Sequence, residues 1–229
     1  MSYGFLAINE SGFTQIDGTY DNLSVLASGT GTTSYASSQP SGHVLNLISL
    51  PSGSPSDVAI FAKPSSESGA YVFFLYVVSG GFYIMTPMNS NSTVSVDYKI
   101  CVRSRDMPSS PNVGYGLKVY KNNGEEAYSS NNENFKCLFV ASDNTSAGSQ
   151  ASYSPVSISS CFRLMNGSNI VAYFPTGSSQ GQIILVAYAQ KFDYTNNEIV
   201  ATTTYARILG GQGALSSNQI KTNLVGKFA

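Results

Sequence analysis

The sequence predicts an all-β chain built as two tandem antiparallel β-sandwich domains related by internal duplication, and three observations carry that reading. Short runs of Val, Ile, Tyr, Phe and Thr alternate with clusters of Gly, Ser, Asn and Pro, which is the pattern of strands and turns. No window of about 12 residues keeps an apolar stripe at i, i+3 and i+4, and Glu, Lys, Ala and Leu never cluster as helix formers do. A stretch that begins at Tyr3 returns at Tyr115 without a gap. A length of 229 residues fits one large or two small domains.

Composition narrows the classes of function. Only 11% of the residues are Asp, Glu, Lys or Arg, against about 25% in an ordinary soluble domain. Polarity comes instead from 37 Ser and 21 Gly with scattered Thr and Asn, while 15 Tyr and 12 Phe accompany no Trp. A net charge of −1 gives no field to steer nucleic acid or an anionic bilayer, so neither is expected as a partner. An apolar fraction of 42% is enough for a packed core.

Met1 is followed by Ser-Tyr-Gly-Phe, with neither a basic n-region nor an apolar h-region, so no secretory signal is read. The longest apolar run, Tyr71 to Val78, is less than half the roughly 20 residues that a membrane-spanning helix needs, and reads as a strand. Cys101, Cys137 and Cys161 are odd in number and widely spaced, without a CxxC pair. They are expected to be reduced and to act as small apolar side chains.

In chain order the strands come as hairpins. Phe5 to Ile8 and Phe13 to Ile16 flank Ser11-Gly12, and Leu117 to Tyr120 and Glu125 to Tyr128 flank Asn123-Gly124. Asn-Gly is among the strongest short hairpin signals. Gly4 and Gly116, each beside a Tyr, mark a bulge or a close backbone approach. Tyr71 to Val78 and Phe82 to Met85 flank Ser79-Gly80-Gly81, and Ile183 to Tyr188 and Ile199 to Tyr205 flank a turn near Thr195-Asn196-Asn197. The first strand of each of these later hairpins is apolar at consecutive positions, which implies burial on both faces, in a sandwich interior or a subunit contact.

The repeat sets the architecture. Tyr3 to Ile16 aligns with Tyr115 to Tyr128 at an offset of 112, and at that offset Asp21-Asn22-Leu23 meets Glu133-Asn134-Phe135 and Leu26 meets Leu138. Val58 to Phe61 faces Ile170 to Tyr173, and Val96 to Ile100 resembles Thr203 to Ile208 at a slightly shorter offset. Asp106-Met-Pro-Ser-Ser-Pro-Asn112 has the two prolines of a semi-rigid linker. The expected domains are therefore 1–105 and 113–229, joined by 106–112.

The paired openings, Tyr-Gly-(Phe/Leu)-x-(Ala/Val)-(Ile/Tyr) followed by a Gly turn and an (Ile/Tyr)-(Asp/Ser) segment, resemble the start of a family of small tailed-bacteriophage virion proteins. The likeness covers about 15 residues of each half. It implies a β-sandwich structural protein of the tail, tail tip or baseplate, or fibre region, or a capsid decoration, located in the virion and assembled in the bacterial cytoplasm. It implies no catalytic residue.

The residues themselves give no enzyme signature either. His43 is the single histidine and is read as structural, no Gly-x-Ser-x-Gly elbow occurs, and the 13 acids are scattered through turns. Gly29-Thr-Gly-Thr-Thr33 lacks the Lys of a phosphate loop, and no Asp-x-Asp-x-Asp-Gly calcium loop is present. The expectation is no enzyme, no cofactor and no metal.

Binding is carried by Tyr in loops rich in Ser, Gly and Asn, as in antibody loops. Tyr20, Tyr35, Tyr153 and Tyr194 are the candidates for subunit or receptor contact, and a host glycan or receptor is the alternative partner to other virion proteins and copies of this chain. Gly210-Gly-Gln-Gly213 leaves 210–229 as either an arm that docks Leu215, Ile220, Leu224, Val225 and Phe228 on a neighbour, or a final strand of the second domain. The scarcity of charge fits a surface made for contact, because charges are depleted at interface cores.

Overall fold

The computed structural model describes residues 6–8, 14–17, 21–32, 46–55, 57–65, 71–78, 80–85, 95–108, 115–144, 151–153, 158–164, 170–173, 182–210 and 220–228. Over these the chain is all-β, with two single 3-10 turns, Ser104–Asp106 and Ile158–Ser160, as its helical elements. Among the described residues no helix is long and apolar enough to cross a membrane.

The first half supplies β1 (Leu6–Ile8), β2 (Thr14–Asp17), β3 (Leu23–Thr32), β4 (Asn46–Ser49), β5 (Ala59–Pro64), β6 (Tyr71–Val78), β7 (Gly81–Met85) and β8 (Ser95–Arg103). The second supplies β9 (Lys118–Tyr120), β10 (Glu126–Ser129), β11 (Phe135–Asn144), β12 (Ala151–Tyr153), β13 (Phe162–Leu164), β14 (Ile170–Tyr173), β15 (Gln182–Asp193), β16 (Glu198–Gly210) and β17 (Ile220–Phe228). The four expected hairpins all form, as β1–β2, β9–β10, β6–β7 and β15–β16. Gly124 takes φ 84° and Gly80 φ 80°, the left-handed values their turns require.

The offset of 112 is visible in three dimensions. β1 and β9 begin at residues 6 and 118, β2 and β10 at 14 and 126, and β3 and β11 at 23 and 135. The ladder of β3 shifts register between Val25 and Ala27, and that of β11 between Cys137 and Phe139, so the irregularity itself recurs 112 residues on. Leu26 and Leu138 occupy the two shifted positions.

The halves do not fold as separate stacks on either side of a linker. One antiparallel sheet runs β11-β17-β13-β5-β8-β3, and a second runs β12-β16-β15-β6-β7-β4, with β14 also on β15. Each order reads as three strands of one half followed by the same three roles of the other in reverse, which is the order a two-fold axis generates. The halves join where β13 pairs β5, Arg163 opposite Ala62, and where β15 pairs β6, Gln190 opposite Phe73. In this order β13 stands where β5 stands and β17 where β8 stands. The sequence matches of Val58–Phe61 to Ile170–Tyr173 and of Val96–Ile100 to Thr203–Ile208 are therefore corrected. Beyond β3 and β11 the connecting segments differ in length, and short apolar strands resemble one another whatever their place.

The first sheet curls until its edges meet. Ser24 in β3 bridges Asn134, just before β11, and Val25 N–H donates to the Glu133 carbonyl at 2.8 Å. Its concave face encloses Phe61, Cys101 and Phe162 with Leu23, Val25, Phe135, Leu164 and Phe228. Its outer face presents Ile60, Ala62, Ile100 and Val102 to Ile48, Phe82, Phe192 and Ile199 of the second sheet, and these form the larger core. Period-two alternation along β5 and β8 is what lets one strand serve both cores.

Candidate functional site

The place where the halves meet at β3 and β11 holds the most organised polar chemistry of the described residues. Asp21-Asn22 and Glu133-Asn134, equivalent in the repeat, enter it from the two halves. Ser24 Oγ donates to Asn134 Oδ1 at 2.9 Å and lies 2.8 Å from Ser104 Oγ. Asn134 Nδ2 donates to the carbonyls of Ser129 and Asn132, both at 2.7 Å. Ser104 N–H donates to the Asn22 carbonyl at 2.8 Å, and Asn22 N–H to the Ala127 carbonyl at 3.1 Å. Ser24, Ser104, Ser129 and Asn134 are buried, so these bonds form where water cannot compete. Asn22 Nδ2 and Asn132 Nδ2 are buried there without a hydrogen-bond partner.

Replacing Asn134 by Ala is expected to cost about 1–3 kcal/mol, because the Ser24 hydroxyl loses its acceptor in a buried site. Urea unfolding followed by fluorescence measures it, and a cost below that of an exposed Asn→Ala change would contradict the network.

Around this seam lies an ion-pair network drawn from a chain with few charges. Lys121 Nζ is 2.7 Å from Asp21 Oδ1, Arg105 Nη1 is 3.2 Å from Glu125 Oε2, and Arg103 Nη2 is 2.9 Å from Asp57 Oδ2. Asp106 sits between the two arginines, at 3.4 Å from Arg103 and 3.9 Å from Arg105. The hydrogen bond from the Asn123 side chain, and then the Arg105 guanidinium, hold the Glu125 carboxyl below its ordinary range. The Lys121–Asp21 and Arg105–Glu125 pairs clip the β9–β10 hairpin to the first half. The exposed pairs act as a geometric clasp more than as a store of stability.

Lys99 Nζ reaches Glu133 Oε1 at 2.6 Å and lies over the rings of Phe162 and Phe228, at 5.5 and 5.2 Å from their centroids. Lys63 lies 5.2 Å from the Phe162 centroid and donates to the Ser159 carbonyl at 2.8 Å. Both lysines cap the aromatic core from the rim of the curled sheet.

Cys101, Cys137 and Cys161 form no disulfide, and Cys101 and Cys161 are buried. Burial pushes the Cys161 thiol from 9.0 to about 11, the nearby Lys227 and Lys63 opposing it, and pushes Cys101 further up. A thiol raised in the folded state stabilises it fully below the unfolded value and loses that contribution as pH rises through the folded value. Stability is expected to fall as pH rises from 9.0 to about 11. Thiol titration is expected to label Cys101 and Cys161 only on unfolding, and fast labelling of the native chain would contradict their burial.

The tyrosine candidates are not brought together among the described residues. Tyr20, Tyr35 and His43 lie outside them, as do Gly4 and Leu215. Tyr153 ends β12, on the edge of the second sheet. Tyr194 is half-buried in the β15–β16 turn, stacked on Phe192 at 6.3 Å with its hydroxyl 3.4 Å from the Pro64 carbonyl, so it packs on the larger core. Ile220, Leu224, Val225 and Phe228 lie in β17, which is flanked by β11 and β13 of the same chain. Of the two readings of 210–229, the described part is the strand and not an arm, because β17 fills the place that β8 fills in the first half. A Cβ at Gly116 would lie 2.6 Å from Asn131 Oδ1, at the side chains of the turn that follows β10.

The sequence reading missed the surface of the hairpins. Among the described residues the exposed large apolar side chains are Ile8, Tyr115, Leu117 and Tyr120, and all four belong to the two repeat hairpins. Ile8 and Tyr120 are equivalent at the offset of 112 and equally exposed, 56% and 55%. Tyr115 is fully exposed. The repeat alignment contained that equivalence, but alternation alone could not tell a face turned to solvent from one turned to a core.

Among the described residues no group of three or more His, Cys, Asp or Glu could hold a metal ion. Compared with known proteins, the chain matches no family model, no curated protein and no solved structure.

Proposed function

We propose that the chain is a non-enzymatic structural component of a bacteriophage virion, of the tail, its tip or baseplate, or the fibre region, working through packing between subunits. The observation that carries this reading is the Tyr-Gly opening, present twice in the sequence and followed in each copy by a two-stranded hairpin that leaves an apolar side chain in solvent at the same repeat position. Scarce charge, part of it held in internal pairs, supports a surface suited to dense contact. The strand order of the two sheets supports the finer reading that the halves are copies of one β-sandwich unit, merged side by side. The partners in this reading are other virion proteins and copies of the chain itself.

Mass spectrometry of purified particles, followed by a particle reconstruction, tests it. The expected result is the chain present in stoichiometric amount with density in the tail. Its absence from intact particles would overturn the reading.

The fully exposed Tyr115 ring favours a second reading, a carbohydrate- or host-receptor-binding module, since such rings stack on sugars. Saturable binding on a glycan array, lost in Tyr115→Ala, would move the assignment there. Turnover of a bound polysaccharide would point instead to an enzyme.

A further inference from the structure

The tip of the β9–β10 hairpin joins a reactive pair of residues to the clasp between the halves. Lys121 N–H donates to the Glu125 carbonyl at 2.9 Å and Gly124 N–H to the Lys121 carbonyl at 3.0 Å, which closes the turn over Asn122, Asn123 and Gly124. All three are exposed. Asn123 Oδ1 accepts the Glu125 N–H at 3.1 Å, so the side chain folds back over the backbone that follows it. A Cβ at Gly124 would meet nothing within 4 Å, so the space beside its nitrogen is open to water.

We infer that Asn123 is a site of self-modification, where the Gly124 backbone nitrogen attacks the Asn123 side-chain amide and converts the residue to aspartate and isoaspartate. The Gly124 nitrogen gives its proton to solvent hydroxide and forms a bond to Asn123 Cγ. The Cγ–Nδ2 bond breaks, Nδ2 takes a proton from water and leaves as ammonia, and a cyclic succinimide remains. Water then adds to one of the two ring carbonyls. Opening on one side gives aspartate, and opening on the other gives isoaspartate, whose main chain runs through the former side chain. The inference stands apart from the virion reading, since it needs only the folded chain and water.

The turn favours this chemistry at Asn123. Gly124 has no Cβ to obstruct the closing ring. Glu125 N–H already donates to Oδ1, where negative charge develops during the attack, and a donor placed there lowers the barrier. The bond from Gly124 N–H to the Lys121 carbonyl must open first, so the pace is set by local opening of the hairpin tip. Every other asparagine among the described residues precedes a residue with a side chain. Asn122 and Asn131 are also exposed but are followed by asparagine, which makes them internal references.

The product acts on the clasp. The Asn123 side-chain hydrogen bond is the foremost cause that holds the Glu125 carboxyl below its ordinary range. Glu125 in turn lies 3.2 Å from Arg105 and 3.6 Å from Lys121. Conversion replaces the amide donor with a second carboxylate beside Glu125, and both changes move the Glu125 carboxyl up. Isoaspartate also adds a methylene to the main chain inside the turn, which displaces the backbone bond between Lys121 and Glu125.

Incubation of the full folded chain in mildly alkaline buffer, with peptide mapping by mass spectrometry at intervals, tests this. The expected result is conversion at Asn123 ahead of Asn122 and Asn131, with isoaspartate present beside aspartate. Gly124→Ala is expected to slow it by roughly tenfold or more, because a methyl group obstructs ring closure. A melting curve checks that this variant is folded; if it is not, the isoaspartate formed in the unaltered chain carries the test, because direct hydrolysis of the amide yields none. The peptide with Asn166-Gly167, which lies outside the described residues, is read separately. Asn123→Asp is expected to move the Glu125 carboxyl titration, followed by NMR, to higher pH. The inference is overturned by Asn123 intact in the folded chain after an incubation that converts it in the urea-unfolded chain, by aspartate without isoaspartate, or by a rate indifferent to Gly124→Ala. An unmoved Glu125 would overturn the link to the clasp.

Discussion

Gly226→Val is expected to cost about 3 kcal/mol of stability or more, because it overpacks a site with no room to relax. Gly226 sits in β17 opposite Cys137 on one side and Phe162 on the other. A Cβ there would run into the Lys136 carbonyl and the Phe135 ring. Neither can retreat: Lys136 is fixed in the β11 ladder, and the Phe135 ring lies 4.4 Å from that of Phe61 and 5.4 Å from that of Phe228. Gly124 provides the contrast. A Cβ at Gly124 meets nothing within 4 Å, and only its φ of 84° resists substitution, so Gly124→Ala is expected to cost about 1 kcal/mol. Soluble yield and thermal melts of the two variants measure the difference, and equal effects would contradict the packing at β17.

Phe61→Ala is expected to cost about 3–5 kcal/mol, the loss of a buried aromatic with a cavity left behind. Phe61 is fully buried and comes from the first half, yet its ring partners, Phe135 and Phe228 at 4.4 and 5.4 Å, come from the second. The cost therefore falls on both halves at once. In a chain of this length each kcal/mol lowers the melting temperature by about 2–4 °C, so a drop of roughly 6–20 °C is expected. A double-mutant cycle with Phe135→Ala should show coupling of about 0.5–1.5 kcal/mol beyond the separate losses. Additive effects would mean that the rings do not share a core.

Much of this fold was legible in the residues and some was not. The hairpins were legible because Asn123-Gly124 and Gly80-Gly81 supply turn conformations that few other residues adopt. The offset of 112 was legible from Tyr3 to Leu26, and the structure adds the shared register shift at Leu26 and Leu138. The consecutive apolar residues of β6 and β15 implied either a sandwich interior or a subunit contact. The structure places these two strands side by side, one from each half. Pairing across the halves was not legible, because a strand shows the same alternation whichever neighbour it pairs with. β13, three residues long, is too short to carry a periodic signal, yet it joins the halves in the curled sheet. The seam was hidden for a different reason. Ser24, Asn134 and Asn22 are ordinary turn residues by type, and only the meeting of β3 with β11 makes them a buried network.

Two repeated halves that share two sheets behave as one unit. Differential scanning calorimetry of the full chain tests that most directly. A single transition is expected, with calorimetric and van't Hoff enthalpies in a ratio of about one. Two resolved transitions, or a calorimetric enthalpy about twice the van't Hoff value, would show halves that unfold independently and would contradict it.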